Sequence, residues 1–117
     1  MPTATHAVKD HFENRAPAVK ATFAAILAAA KKLGPVVLEA KKTSIHLVRK
    51  TAFAGVATRK TALVLTLKSE SDIASERIAK REKVSANRWH LEIRLDAPAQ
   101  VDRELVGWMK KAYELAG

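Results

Sequence analysis

"VVLEAKKTSIHLVRKTAFAGVATRKTALVLTL", residues 36–67, decides the fold, because it breaks into four short apolar runs with basic links between them. The runs are 36–40, 44–48, 52–57 and 62–67, and KKT, RKT and TRKT separate them. Links of that length join antiparallel neighbours as hairpins. The stretch therefore predicts a four-stranded antiparallel meander. Arg49-Lys50-Thr51-Ala52 recurs as Arg59-Lys60-Thr61-Ala62. The interval matches one strand plus one turn and the identity ends with the tetrapeptide, so the copies read as turn-to-strand corners rather than a duplicated domain.

Before the meander, Val19, Phe23, Ile26, Leu27, Ala30 and Leu33 share one helical face, which predicts a helix over 17–33. Pro17 suits its first turn, Lys31 and Lys32 complement the dipole of its last turn, and Gly34-Pro35 stops it. After the meander, "SESDIASERIAKREKVSAN" (69–87) is polar. Its serines and Asp72 suit helix caps, so a short exposed helix is expected near 72–81. "RWHLEIRL" (88–95) alternates cleanly and predicts a fifth strand with Trp89, Leu91, Ile93 and Leu95 on its buried face. A last helix over 99–115 carries Val101, Leu105, Trp108, Met109, Ala112 and Leu115 as its core stripe. Gly55 within a strand suggests a bulge or close packing, and Gly107 an opening for a neighbouring element. The expected architecture is α+β: an antiparallel sheet of about five strands, order α-β-β-β-β-α-β-α, with the first and last helices on one face. The other face is then left bare. The chain reads as a single domain, 1–117, with 1–13 a flexible N-terminal segment.

Composition bounds the function. There is no cysteine, so disulfides, thiolate zinc sites and cysteine nucleophiles are excluded. The four histidines, at 6, 11, 46 and 90, lack the i, i+4 pairing of a helical metal site, and no metal or cofactor is expected. The longest apolar run, 23–30, is far short of the roughly 18 residues that span a bilayer. The first residues lack the pattern of a signal peptide, so a cytoplasmic protein with no membrane partner is expected. Glycines stand alone, there is no phosphate loop and no nucleophile motif, and catalysis is not expected.

The net charge is +9, and residues 35–69 hold seven Lys and Arg against one Glu. Such a field favours anionic partners. In a meander, Lys41, Lys42, Arg59 and Lys60 fall at one end of the sheet, and Arg49, Lys50 and Lys68 at the other with Lys31 and Lys32. Two separated clusters suit a polyanion, DNA or RNA, because each neutralised phosphate releases counterions wherever it lies. Lysines at turns also serve solubility and block edge pairing. On the bare face, alternation places Ser44, His46, Thr66, Lys68, His90, Glu92 and Arg94. His46, His90 and Arg94 are candidates for a small-ligand or acid–base site there, against the plain alternative of a solvated face. A third reading is a protein-interaction or dimerisation domain working through an exposed edge strand.

Several segments carry a family resemblance over nearly the whole chain: "HFENRAPAV" (11–19), "LGPV" (33–36), "KKTSIHL" (41–47), Phe53-Ala54, "RWHLEIRL" and "VDRELVGWMKKAYELAG" (101–117). In this order they resemble the bacterial domain of unknown function 5655 family. Its most specific marks are Lys42, Thr43 and Ile45, then Asp102, Glu104, Leu105, Trp108, Ala112 and Tyr113. Members often carry a Cys-rich, zinc-ribbon-like segment ahead of this domain and tend to place a serine cap before the last helix, where this chain has Ala97. More loosely, the chain is similar to the MmcQ/YjbR group, which implies a frataxin-like architecture and DNA binding. A related group is linked to iron handling, but a ridge for hard cations needs carboxylates and the charge here is of the opposite sign. The resemblance bears on the fold more than on the function. The first expectation, from the basic turns, is a non-catalytic module for nucleic acid or another polyanion, with the small-ligand or enzymatic site and the interaction domain as the alternatives.

Overall fold

The periodicity that predicts the first helix is realised without shift: α1 covers Pro17–Leu33 and buries Val19, Thr22, Phe23, Ile26 and Ala30. The computed structural model describes residues 8–117, Lys9 by its backbone alone. Val8–Phe12, read from the sequence as part of a flexible segment, form a 3-10 helix. Phe12 packs against Phe23 with ring centroids 5.1 Å apart. Residues 1–7 of that segment lie outside the described residues.

The predicted meander follows as β1 (Val37–Ala40), β2 (Ile45–Val48), β3 (Ala52–Thr58) and β4 (Leu63–Ser69), each pairing antiparallel with the next. Two further strands, β5 (Ile78–Ser85) and β6 (Arg88–Leu95), complete a six-stranded sheet of order β1-β2-β3-β4-β6-β5. The sixth strand corrects the count of five, and the helix expected near 72–81 does not form. The element order is α-β-β-β-β-β-β-α. The reason lies in position. β5 is an edge strand with only Ile78 buried, so it has no apolar alternation to read, and its charges block pairing with another chain.

The second helix, α2, covers Arg103–Leu115 after a 3-10 turn at Pro98–Gln100. Its cap is Asp102, whose carboxylate accepts from the Leu105 N–H at 3.0 Å, whereas Ala97 opens the 3-10 turn. Leu105, Met109, Ala112 and Tyr113 face the core, with Val101, Trp108 and the end of α1 packed at its border. Both helices cover the sheet face that carries Ile45, Leu47, Val56, Leu63, Leu65, Leu67, Leu91, Ile93 and Leu95. The Arg77 guanidinium ties the start of β5 to the start of α2, donating to Asp102 at 2.9 Å, Glu104 at 3.1 Å and the Gln100 carbonyl at 2.7 Å.

Three consequences are local. Gly107 is exposed and a Cβ there would meet nothing, so it admits no neighbour, contrary to the sequence reading. Gly107→Ala is expected to raise stability by about 1 kcal/mol in a thermal or denaturant melt. Gly34 has φ 151, and a Cβ would collide with the Tyr113 hydroxyl, so this stop requires glycine. The Leu105 N–H, with the Arg77 guanidinium, holds the Asp102 carboxyl below the usual carboxylate range. A depressed folded-state value means stability present above the unfolded value of about 3.9 and lost as pH falls through the folded one. Asp102→Ala should therefore be less stable than the parent at neutral pH, with the gap closing in acid, as pH-dependent urea melts would read.

Candidate functional site

Four hydrogen bonds, one at one end of the sheet and three at the other, show how the helices run against it. The Ala16 N–H, at the start of α1, donates to the Lys60 carbonyl in the β3–β4 turn at 2.8 Å. At the other end, the Lys50 and Thr51 N–H groups donate to the Ala116 carbonyl, and the Tyr113 hydroxyl donates to the Pro35 carbonyl at 2.9 Å. Both helices thus run from the end with the β1–β2 and β3–β4 turns to the end with the β2–β3 turn. Their dipoles add, positive at the first end and negative at the second.

That orientation separates two basic clusters that look alike in sequence. Lys41, Lys42, Arg59 and Lys60 gather at the positive end, about 20 Å from the others along the seven-residue β3 at ~3.3 Å per residue. Lys41 pairs with Glu39 at 3.4 Å, while Lys42, Arg59 and Lys60 are exposed and have no carboxylate partner among the described residues. Arg15 adjoins them, its Nε donating to Thr58 Oγ1 at 3.2 Å. At the negative end, Arg49 is spent on structure: Nη1 donates to the Tyr113 carbonyl at 3.1 Å, and the guanidinium lies 4.4 Å from the centroid of the Tyr113 ring. Lys32, Arg49 and Lys110 with Glu114 border a shallow groove between the two helix C-termini. Lys68 Nζ donates to Thr51 Oγ1 at 3.3 Å. Lys50 is exposed beside it.

The bare face holds a second feature. Register aligns Glu39, His46, Gly55, Thr66, Glu92 and Lys80 in one row across all six strands. An adjacent row sets Lys68 beside His90, and His90 beside Glu82. Along β3 this face carries Ala52, Gly55 and Ala57, so a concavity of about 260 Å³ opens there, walled by Ser44, His46, Thr66, Lys68 and His90. A bulge opposite Leu47 and Val48 turns both Phe53 and Ala54 into the core. It lies at Phe53, not at Gly55, whose pairing with His46 and Thr66 is regular.

The two histidines do not meet. β3 and β4 lie between their strands, three spacings of ~4.8 Å or about 14 Å. Arg94 shares the face but lies outside the concavity, its Nε on Asp96 at 3.1 Å. No acid–base pair forms from His46, His90 and Arg94. Among the described residues no three His, Asp or Glu side chains gather as a metal site, and no helix is long and apolar enough to cross a membrane. The small residues of β3 are what the sequence reading passed over. The signal was present in Ala52, Gly55 and Ala57, but the bulge disrupts the alternation that would have put them on one face.

The fold and this face define a six-stranded antiparallel α+β domain that, among the described residues, is covered by helices on one side. The family model for the domain of unknown function DUF5655 matches residues 8–116, and the chain belongs to that family. No curated protein and no solved structure matches it.

Proposed function

We propose that this domain is a non-catalytic module that binds an extended polyanion, the phosphate backbone of a nucleic acid, chiefly through Lys42, Arg59 and Lys60. The observation that carries the reading is the contrast in charge compensation. Arg77, Arg81 and Arg94 each hold a carboxylate within 3.1 Å, whereas Lys42, Arg59 and Lys60 hold none among the described residues. Uncompensated cations at a shared end leave a field that an anion relieves. The helix orientation favours that end over the other. There the dipoles reinforce the cations, while Lys31, Lys32 and Arg49 stand where helix C-termini themselves ask for positive charge.

The bare face adds no aromatic platform, since Phe23 and Phe53 are buried and Trp89 and Trp108 pack against the core. Backbone contact, not base stacking, is the mode that fits. Fluorescence anisotropy with labelled duplex DNA and single-stranded RNA at two salt concentrations tests this. Affinity for duplex should fall with a slope of roughly −0.9 per phosphate neutralised. Absence of binding at low salt, or a flat salt dependence, overturns it.

A further inference from the structure

The concavity on the bare face has a floor without side chains, and nothing inside the fold accounts for that. Glycine in a central strand sacrifices cross-strand packing and conformational stability. Two internal reasons usually justify it, and both are absent at Gly55. Its backbone is not in the positive-φ region, and a Cβ there would meet only His46 Cδ2, at an ordinary 3.8 Å. The space it leaves opens outward, and Ala52 and Ala57 extend it along β3.

The walls have a consistent chemistry. Lys68, His46, His90, Ser44 and Thr66 line the space, and no carboxylate does. The side chains of Ser44, His46 and Thr66 have no hydrogen-bond partner among the described residues, so their polar atoms remain available. Lys68 is steadied by Thr51, which holds its ammonium at one end of the trough. His90 stands beside it in register. The volume of about 260 Å³ is just below the ~300–1,000 Å³ of pockets for drug-sized ligands.

We propose that this face is a binding site for a small planar organic anion, an aryl carboxylate or aryl phosphate. The flat body rests on the β3 backbone at Gly55, between His46 and Thr66, and the anionic group points to Lys68 and His90. A planar body fits because a floor of Gly and Ala on a pleated strand is flat and apolar. An anion fits because every charged or titratable group of the lining is a cation or an imidazole. Lys68 is the chief contact, since Glu82 Oε1 already lies 3.9 Å from His90 Nδ1. The site is separate from Lys42, Arg59 and Lys60, and its test does not depend on polyanion binding.

The experiment is an amide and side-chain NMR titration of the full chain with benzoate, phenyl phosphate, cyclohexanecarboxylate and inorganic phosphate, repeated on Gly55→Val. Saturable shifts at His46, Gly55, Thr66 and Lys68 with either aryl anion, at least threefold tighter than with cyclohexanecarboxylate, are expected. The stronger of the two aryl probes identifies the head group. Gly55→Val should fill the trough and remove those shifts while its melting temperature stays at or above the parent's, separating loss of the site from loss of the fold. Shifts confined to Lys42, Arg59 and Lys60, or shifts that survive Gly55→Val, overturn the proposal. So do concentration-dependent shifts on this face without ligand, accompanied by a doubled mass in light scattering, because a second copy would then be its occupant.

Discussion

Reversing Lys42, Arg59 and Lys60 together to glutamate is expected to abolish duplex binding at moderate salt and to flatten the salt slope by roughly 2–3 units, at ~0.9 per lost phosphate contact. The three side chains are exposed, and their removal breaks no described ion pair. Surface changes of this kind usually stay within about 0.5 kcal/mol each, so thermal melts of the variant should track the parent. The informative comparison is Lys50→Glu with Lys68→Glu at the opposite end. Lys50 sits beside the C-terminus of α2, where cations answer the negative dipole, and its reversal should change the slope by less than one unit. Equal losses at the two ends would overturn the assignment of one dominant patch and restore a reading with two. Anisotropy over a salt series, on the same labelled duplex, distinguishes these results.

Truncating Tyr113 to alanine is expected to give the largest stability loss, roughly 3–5 kcal/mol by analogy with other buried aromatic deletions. A domain of this length has a total on the order of 6–15 kcal/mol, so a substantial fraction of it is at stake. Tyr113 is 5% exposed and meets Phe53 edge-to-face at 5.2 Å between centroids. Its ring lies under Arg49 and its hydroxyl closes on the Pro35 carbonyl, so it joins α2, the β2–β3 turn and the exit of α1. The removal would leave a cavity bordered by three elements that cannot all collapse into it. Tyr113→Phe separates the terms. It keeps the ring and loses one hydrogen bond to a carbonyl of an exposed residue, so about 1 kcal/mol is expected. Urea unfolding of both variants checks the split. A loss near 1 kcal/mol for the alanine variant would show that Tyr113 does not join these elements.

These two sites also mark how far local pattern reaches. α1 and β6 were legible to the residue because their faces are binary: Val19, Phe23, Ile26 and Ala30 recur at helical spacing, and Leu91, Ile93 and Leu95 alternate against charges. β5 was not legible, since an edge strand paired on one side needs only Ile78 in the core, and a charged run with serines before it imitates a capped helix. Tyr113 escaped the helical stripe because its neighbours in space, Phe53 and Arg49, come from a distant part of the chain.

By itself the sequence determined the meander, the two covering helices, the charge at the turns and which alternate residues share the bare face. Each of these follows from period and link length within a short window. Only the tertiary structure decided the rest. The parallel run of α1 and α2 set both helix N-termini at the end with Lys42, Arg59 and Lys60, and both C-termini at the end with Lys32 and Arg49. The strand order, with β3 and β4 between β2 and β6, kept His46 and His90 apart. The bulge at Phe53 gathered Ala52, Gly55 and Ala57 on one face and opened the concavity. The physical reason is common to all three: dipole alignment, strand order and a shift of register are relations between segments, and no local pattern encodes them.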